Sequence, residues 1–169
     1  MKAGGWQTRP GYDLAGKTMG MLGLGKLGGA VARVANAFDM KVIGVRRDPA
    51  AGKGAADSVH AIAELKSLLP QADIVALTCP LTKETENLID ADALGRMKKS
   101  AYLINAARGK VVNEAALIQT MKSGAIAGAA PVVQCALRSD ARARGWVGAA
   151  SSIAASVAKL KPVPLAAWA

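Results

Sequence analysis

Aromatic rings, cysteine and histidine are all scarce in this sequence, and each shortage removes a class of function. Aromatic residues make up 4% of the 169 positions, so a core has to be assembled mostly from Ala, Val, Leu and Ile. The same shortage argues against a nucleic-acid surface. The formal net charge is +10, but the basic residues are scattered (Lys2, Arg9, Lys17, Lys26, Arg33), with no rings interleaved as stacking platforms. The two cysteines, Cys79 and Cys135, have no metal-ligand spacing; no metal site is expected, and a reduced, cytoplasmic state is the simpler reading. The one histidine, His60, has no carboxylate at a suggestive spacing and reads as a surface or edge residue. No stretch reaches the roughly 18 apolar residues of a membrane helix. The first ten residues lack the apolar core of a secretory signal. What remains, 51% hydrophobic and 20% charged, is ordinary for a soluble globular protein with one real core.

Against this background one stretch stands out, KTMGMLGLGKLGG over Lys17–Gly29. A strand-type run, Thr18–Leu22, leads into Gly23-Leu24-Gly25-Lys26-Leu27-Gly28, and a helix-type stretch follows with apolar positions at Leu27, Val31, Val34 and Phe38. Strand, G-x-G-x-x-G and helix in that order form a device for a dinucleotide pyrophosphate. Gly23 permits the tight turn, Gly25 lets the backbone approach the phosphates, and Gly28 lets the helix pack on the strand. Helix N–H groups and the helix dipole then face the negative charge.

Downstream, Lys41–Val45 reads as a second strand, and the βαβ unit implies a parallel sheet. Its end carries Arg46-Arg47-Asp48, about 20 residues past the glycine loop, where an acidic residue usually meets the adenosine ribose of NAD. Two assignments are open there. A guanidinium fork suits a 2′-phosphate and hence NADP(H); alternatively the arginines are solvated and Asp48 takes the ribose hydroxyls. Residues 49–58 read as a Gly/Ala loop, 59–61 as a short strand, and Ile62, Leu65, Leu68 and Leu69 as a helix ending at Pro70. Further strands are expected over 73–78, 101–104 and 125–130. A short helix is expected over 90–97, and a second, Glu114–Lys122, capped by Asn113 and stopped by Gly124.

The segments DLAGKTMGMLGLGKLGGAVA, LLPQADIVALTCPLTKETENLID and MKKSAYLINAARGKVVNEAALIQTMKSGAIAGAA, in this order from about Tyr12 to Ala130, resemble the nucleotide-binding domain of the D-isomer-specific 2-hydroxyacid dehydrogenases. The resemblance is to the glyoxylate/hydroxypyruvate reductase-like members. It implies a Rossmann-type α/β fold, a doubly wound parallel sheet with helices on both faces, incomplete at its C-terminal end. It places Gly23, Gly25, Lys26, Leu27 and Gly28 at the pyrophosphate and Arg46, with Arg47 beside it, at the adenosine ribose or its phosphate. Cys79, Pro80, Thr85, Ala106 and Ala107 would line the cofactor cleft. Arg108 matches the family's catalytic arginine, whose donor fork would hold the carboxylate of a 2-oxo acid and polarise the adjacent carbonyl. The implied cofactor is NADP or NAD, with Arg46 favouring NADP. The implied substrate is a small 2-oxo or 2-hydroxy acid, and the implied assembly a homodimer; neither nucleic acid nor a membrane is a partner.

The pattern breaks after Ala130. The family would continue with a cofactor-binding Asp, where this chain has Val132, and later supply a catalytic Glu and a His general acid/base; beyond Ala130 there is neither Glu nor His. The expected organisation is a lead-in segment over 1–11, in which Trp6 is buried by simple packing, a Rossmann domain over 12–130, and a divergent Ala/Arg-rich tail over 131–169. Within that tail 149–160 has helical spacing, either as a weakly ordered extension or packed on the sheet edge. Together with a resemblance that starts almost at Met1, this gives the expectation of a truncated or frame-disrupted relative. The alternative to an oxidoreductase is a dinucleotide-binding module without chemistry, or a degenerate fragment.

Overall fold

The computed structural model describes residues 13–131. The expected lead-in over 1–11 with Trp6, and the tail beyond Pro131 with Val132, Cys135 and the 149–160 helix, lie outside the described residues.

Short, nearly continuous apolar runs build a sheet whose two faces both pack against other elements. β1 (Thr18–Leu22), β2 (Lys41–Arg46), β3 (Ser58–Ala61), β4 (Ile74–Leu77), β5 (Tyr102–Asn105) and β6 (Gly128–Pro131) form one six-stranded sheet in the order β3-β2-β1-β4-β5-β6. Every pairing is parallel. Met19, Met21, Val42 and Ala76 pack on one side together with Ala32 and Ala35 of α1 (Lys26–Ala37). Leu22, Ile43, Val45, Val75, Leu77 and Leu103 pack on the other with α2 (Leu65–Leu68), α3 (Ala91–Arg96) and α4 (Glu114–Ser123), through Leu65, Leu94 and Leu117. Each such side chain taken fully out of water contributes about 1.5–3 kcal/mol. This is the doubly wound α/β architecture that the sequence predicts. Among the described residues no helix is long and apolar enough to cross a membrane.

Local signals hold where the sequence placed them. Asn113 Oδ1 accepts from the Ala116 amide at 3.0 Å and starts α4, and Gly124 ends it at φ +66°. Asp90 caps α3 in the same way, accepting from the Ala93 amide at 2.7 Å. The segment from Ile62 to Gln71 is not one helix. It is the single turn α2 between two 3₁₀ turns, with Pro70 inside the second.

Two further expectations are corrected. The helix after the glycine loop begins at Lys26, and its inward face is Gly28, Ala32 and Ala35. Leu27, Val34 and Phe38 are more than half exposed. Small residues win the inner face because α1 lies so close to β1 that larger side chains have no room: a Cβ on Gly28 would collide with the Gly23 carbonyl. His60 does lie on the edge strand β3, but it has a carboxylate partner. Its Nδ1 is 3.1 Å from Glu64 Oε2, four residues on, and its Nε2 is 3.2 Å from Ser58 Oγ. The Ala61 amide and His60 together hold the Glu64 carboxyl below its usual range.

A partly exposed clamp ties the two central strands together at the opposite end from the glycine loop. Asp73 takes the Thr18 amide at 2.9 Å through one oxygen and Lys98 Nζ at 2.8 Å through the other. Burial pushes the Asp73 carboxyl up, but these two partners outweigh it and the net shift is downward.

Candidate functional site

The strand order reverses at β1, whose neighbours are β2 on one side and β4 on the other. A crevice therefore opens at the carboxyl ends of β1 and β4, the place where open α/β sheets bind ligands. Everything at this crevice hangs on the turn after β1. Gly23 sits at φ +96°, and its amide donates to Val45 O at 2.8 Å, which fixes the turn to the end of β2. A Cβ there would also lie 2.8 Å from the Cys79 amide nitrogen. Gly25 differs from Gly23 and Gly28: a Cβ on it would meet no atom within 4 Å. Gly25 is the N-cap of α1, no side chain caps that helix, and its first turn holds no acidic residue. The positive end of the α1 dipole thus faces open space.

Two adjoining clefts share Cys79 and Pro80. The first is lined by Gly23, Leu24 and Gly25, by Arg46, Arg47 and Asp48 at the end of β2, and by Glu84, Thr85 and Leu88. The second is lined by Leu27, Thr78, Leu81, Ala106, Ala107 and Arg108. Of the residues singled out from the sequence, the fold gathers Gly23, Gly25, Arg46, Arg47, Thr85, Cys79 and Pro80 at the first. Leu27, Ala106, Ala107 and Arg108 gather at the second. Lys26 and Gly28 line neither: Lys26 is exposed at the helix start, and Gly28 is buried against the turn.

The polar groups differ in how far they are already engaged. Arg46 Nη1 donates to Gly52 O at 2.9 Å and to Ala51 O at 3.4 Å. Asp48 accepts from the Ala50 amide at 3.0 Å. Arg47 Nε lies 3.5 Å from Glu84 Oε2. Thr85 is buried, and its hydroxyl donates to Pro80 O at 2.7 Å while accepting from the Thr82 amide at 2.8 Å, so it shapes the turn. The Cys79 thiol is half-buried and burial pushes it up, which keeps it protonated at neutral pH and a poor nucleophile. Arg108 is exposed, with Nη1 donating to Ala107 O at 3.0 Å. Among the described residues no cluster of His, Cys, Asp and Glu could hold a metal ion.

Two positions were missed in the sequence. Thr78 follows β4, and its hydroxyl donates to Gly23 O at 2.7 Å. Asn105 ends β5 with 5% exposure; its Oδ1 accepts from the Ala107 amide at 3.0 Å and its Nδ2 donates to Arg108 O at 3.1 Å. Each is a polar residue at the end of an apolar strand run, the one signal that could have marked them.

Comparison with known proteins places this geometry. The family described as D-isomer specific 2-hydroxyacid dehydrogenase, NAD binding domain, matches residues 1–133. The chain is 46% identical over 121 residues to a glyoxylate reductase of Thermococcus kodakarensis, covering 70% of this chain and 35% of that protein. A D-isomer specific 2-hydroxyacid dehydrogenase from Xanthobacter autotrophicus Py2, solved in complex with NADPH and MES, superposes with a TM-score of 0.67 at 36% identity, over 75% of this chain and 52% of that one. The NAD-complexed enzyme of the same description from Lactobacillus delbrueckii ssp. bulgaricus gives 0.65 at 38% identity, over 73% and 39%. The chain spans about a third of the length of the curated relatives it matches, 35% for the Thermococcus kodakarensis protein.

Proposed function

The chain belongs to the D-isomer specific 2-hydroxyacid dehydrogenase family as its NAD-binding domain, and on that premise we propose that it binds a nicotinamide dinucleotide across the two clefts, NADP(H) in preference to NAD(H), for hydride transfer between the cofactor and a small 2-oxo or 2-hydroxy acid. The observation that carries the reading is the contrast among the loop glycines. Gly23 and Gly28 are required by their neighbours, whereas the space off Gly25 is open and faces an uncapped helix N-terminus. That is the cradle a pyrophosphate needs and a side chain would fill.

In this reading Gly23–Gly28 hold the pyrophosphate, and Arg46 and Arg47 meet the adenosine ribose with its 2′-phosphate. Cys79, Pro80, Thr85, Ala106 and Ala107 wall the cleft. The bound nicotinamide supplies the hydride. Arg108, exposed at the second cleft, holds the substrate carboxylate through paired N–H donors and polarises the neighbouring carbonyl.

A second reading, dinucleotide binding without turnover by this chain alone, is favoured by the position of the one imidazole. His60 is engaged with Glu64 and Ser58 and lines neither cleft. Calorimetric titration with NADPH and NADH tests the binding half, and an assay with glyoxylate or hydroxypyruvate at saturating cofactor separates the two readings. Binding with turnover supports the enzyme, and binding without it the module. Failure to bind either dinucleotide ends both.

Association of two copies through this domain would have the exposed Leu27, Val34 and Phe38 of α1 available to it. Sedimentation at several concentrations checks this, and a monomer throughout would refute it.

A further inference from the structure

We propose that Glu84 limits the preference of the first cleft for NADP(H) by competing with a 2′-phosphate for the Arg47 guanidinium. The proposal rests on the dinucleotide reading above and deepens it. The two arginines at the end of β2 look equivalent in sequence and are not equivalent in the fold. Arg46 is turned onto the carbonyls of Ala51 and Gly52, where it braces the loop that follows. Arg47 instead reaches to Glu84, with Nε 3.5 Å from Oε2, and both side chains line the cleft that Gly23 and Gly25 open.

The two ends of this ion pair are held differently. Glu84 projects from a turn braced on both sides: the Thr85 and Glu86 amides donate to Thr82 O at 3.1 and 2.9 Å, and the buried Thr85 hydroxyl holds Pro80 O. Arg47 is 71% exposed at its side chain and follows a strand end. The Glu84 side chain is itself 63% exposed, so the braced turn keeps its carboxylate beside the cleft without fixing its position. A 2′-phosphate brings about two negative charges at neutral pH. It has to share the Arg47 guanidinium with Glu84, whose one close approach is at Nε, and it sits beside that carboxylate. A ribose with free hydroxyls meets neither cost. Exposed ion pairs of this kind are weak, so the exchange is feasible and its effect on affinity is modest but selective.

The experiment is calorimetric titration of the full chain with NADPH and with NADH, for wild type, E84Q, R47Q and the E84Q/R47Q double variant. Both positions are exposed, and matching thermal melts confirm that folding is untouched. E84Q is expected to tighten NADPH by about three- to tenfold and to leave NADH within about twofold, since it removes a surface pair and a repulsion together. In the R47Q background the part of that gain that comes from competition should vanish, leaving only the part that comes from relieved repulsion. Equal shifts for both dinucleotides, no shift for NADPH, or a full gain surviving in the double variant would each overturn the role of Glu84 while leaving dinucleotide binding intact. If wild type binds neither dinucleotide, the cleft reading fails first and this proposal with it.

Discussion

The hydroxyl of Thr78 donates a 2.7 Å hydrogen bond to the carbonyl of Gly23, joining the end of β4 to the turn that follows β1 across 55 residues of sequence. The same hydroxyl lies 3.2 Å from Leu22 O, and the Thr78 amide donates to that carbonyl at 2.8 Å. The glycine turn is thus held from the side by its neighbouring strand, and its free face is left to the cleft.

Replacing Thr78 by Val keeps the shape and removes the donor. T78V is expected to lose about 1–2 kcal/mol of stability and to weaken dinucleotide binding, with T78S close to wild type. Urea melts and calorimetry on the pair check it, and T78V behaving like T78S would show that the hydroxyl contributes nothing.

The loop glycines should separate stability from binding. G25A places its methyl in open space, so its melt should stay within about 1 kcal/mol of wild type while dinucleotide affinity falls at least about tenfold. G28A drives a methyl into the Gly23 carbonyl and should cost about 1–3 kcal/mol whatever it does to binding. Unchanged affinity in G25A would remove the pyrophosphate from this loop.

Asn105 shapes the loop that presents Arg108. N105A leaves the buried Ala107 amide and the Arg108 carbonyl without these partners and is expected to lose about 1–3 kcal/mol. N105D retains the acceptor but buries a carboxylate with one oxygen against the Arg108 carbonyl, so it should be no more stable than N105A at neutral pH. Faster hydrogen exchange at the Ala107 amide is the local signature; unaltered exchange in N105A would refute the assignment.

Acid should loosen the clamp at the start of β1. The Asp73 carboxyl is lowered in the folded chain, so its contribution is fully present above the unfolded carboxylate pKa of about 4 and is lost as pH falls through the lower folded value. Stability measured by urea melts should therefore drop below about pH 4, and D73N should be weaker at neutral pH with a shallower acid limb. An acid limb unchanged in D73N would mean that other carboxylates carry it.

The sheet, its parallel pairing and the place of the site were legible because they rest on local rules. Short continuous apolar runs define strands buried on two faces, glycine spacing defines the turn after β1, and Asn113 with Gly124 bounds α4. Family motifs added the cleft walls at Cys79, Pro80, Ala106 and Ala107, and the fold does bring these together. What the sequence could not decide depends on how the folded loops and elements approach one another. The partners are remote along the chain for Thr78 and Arg47, and near for Arg46 and Asn105. The inner face of α1 was set by how close the helix approaches β1, which favours Gly28, Ala32 and Ala35 over the larger Leu27, Val34 and Phe38. The division of labour between Arg46 and Arg47 was set by which carbonyls and which carboxylate the folded loops bring within reach. Thr78 and Asn105 acquired their roles in the same way. Local patterning determined the elements and the turn. The distances between elements, which only packing produces, decided which side chains are buried, which are engaged, and which face the open cleft.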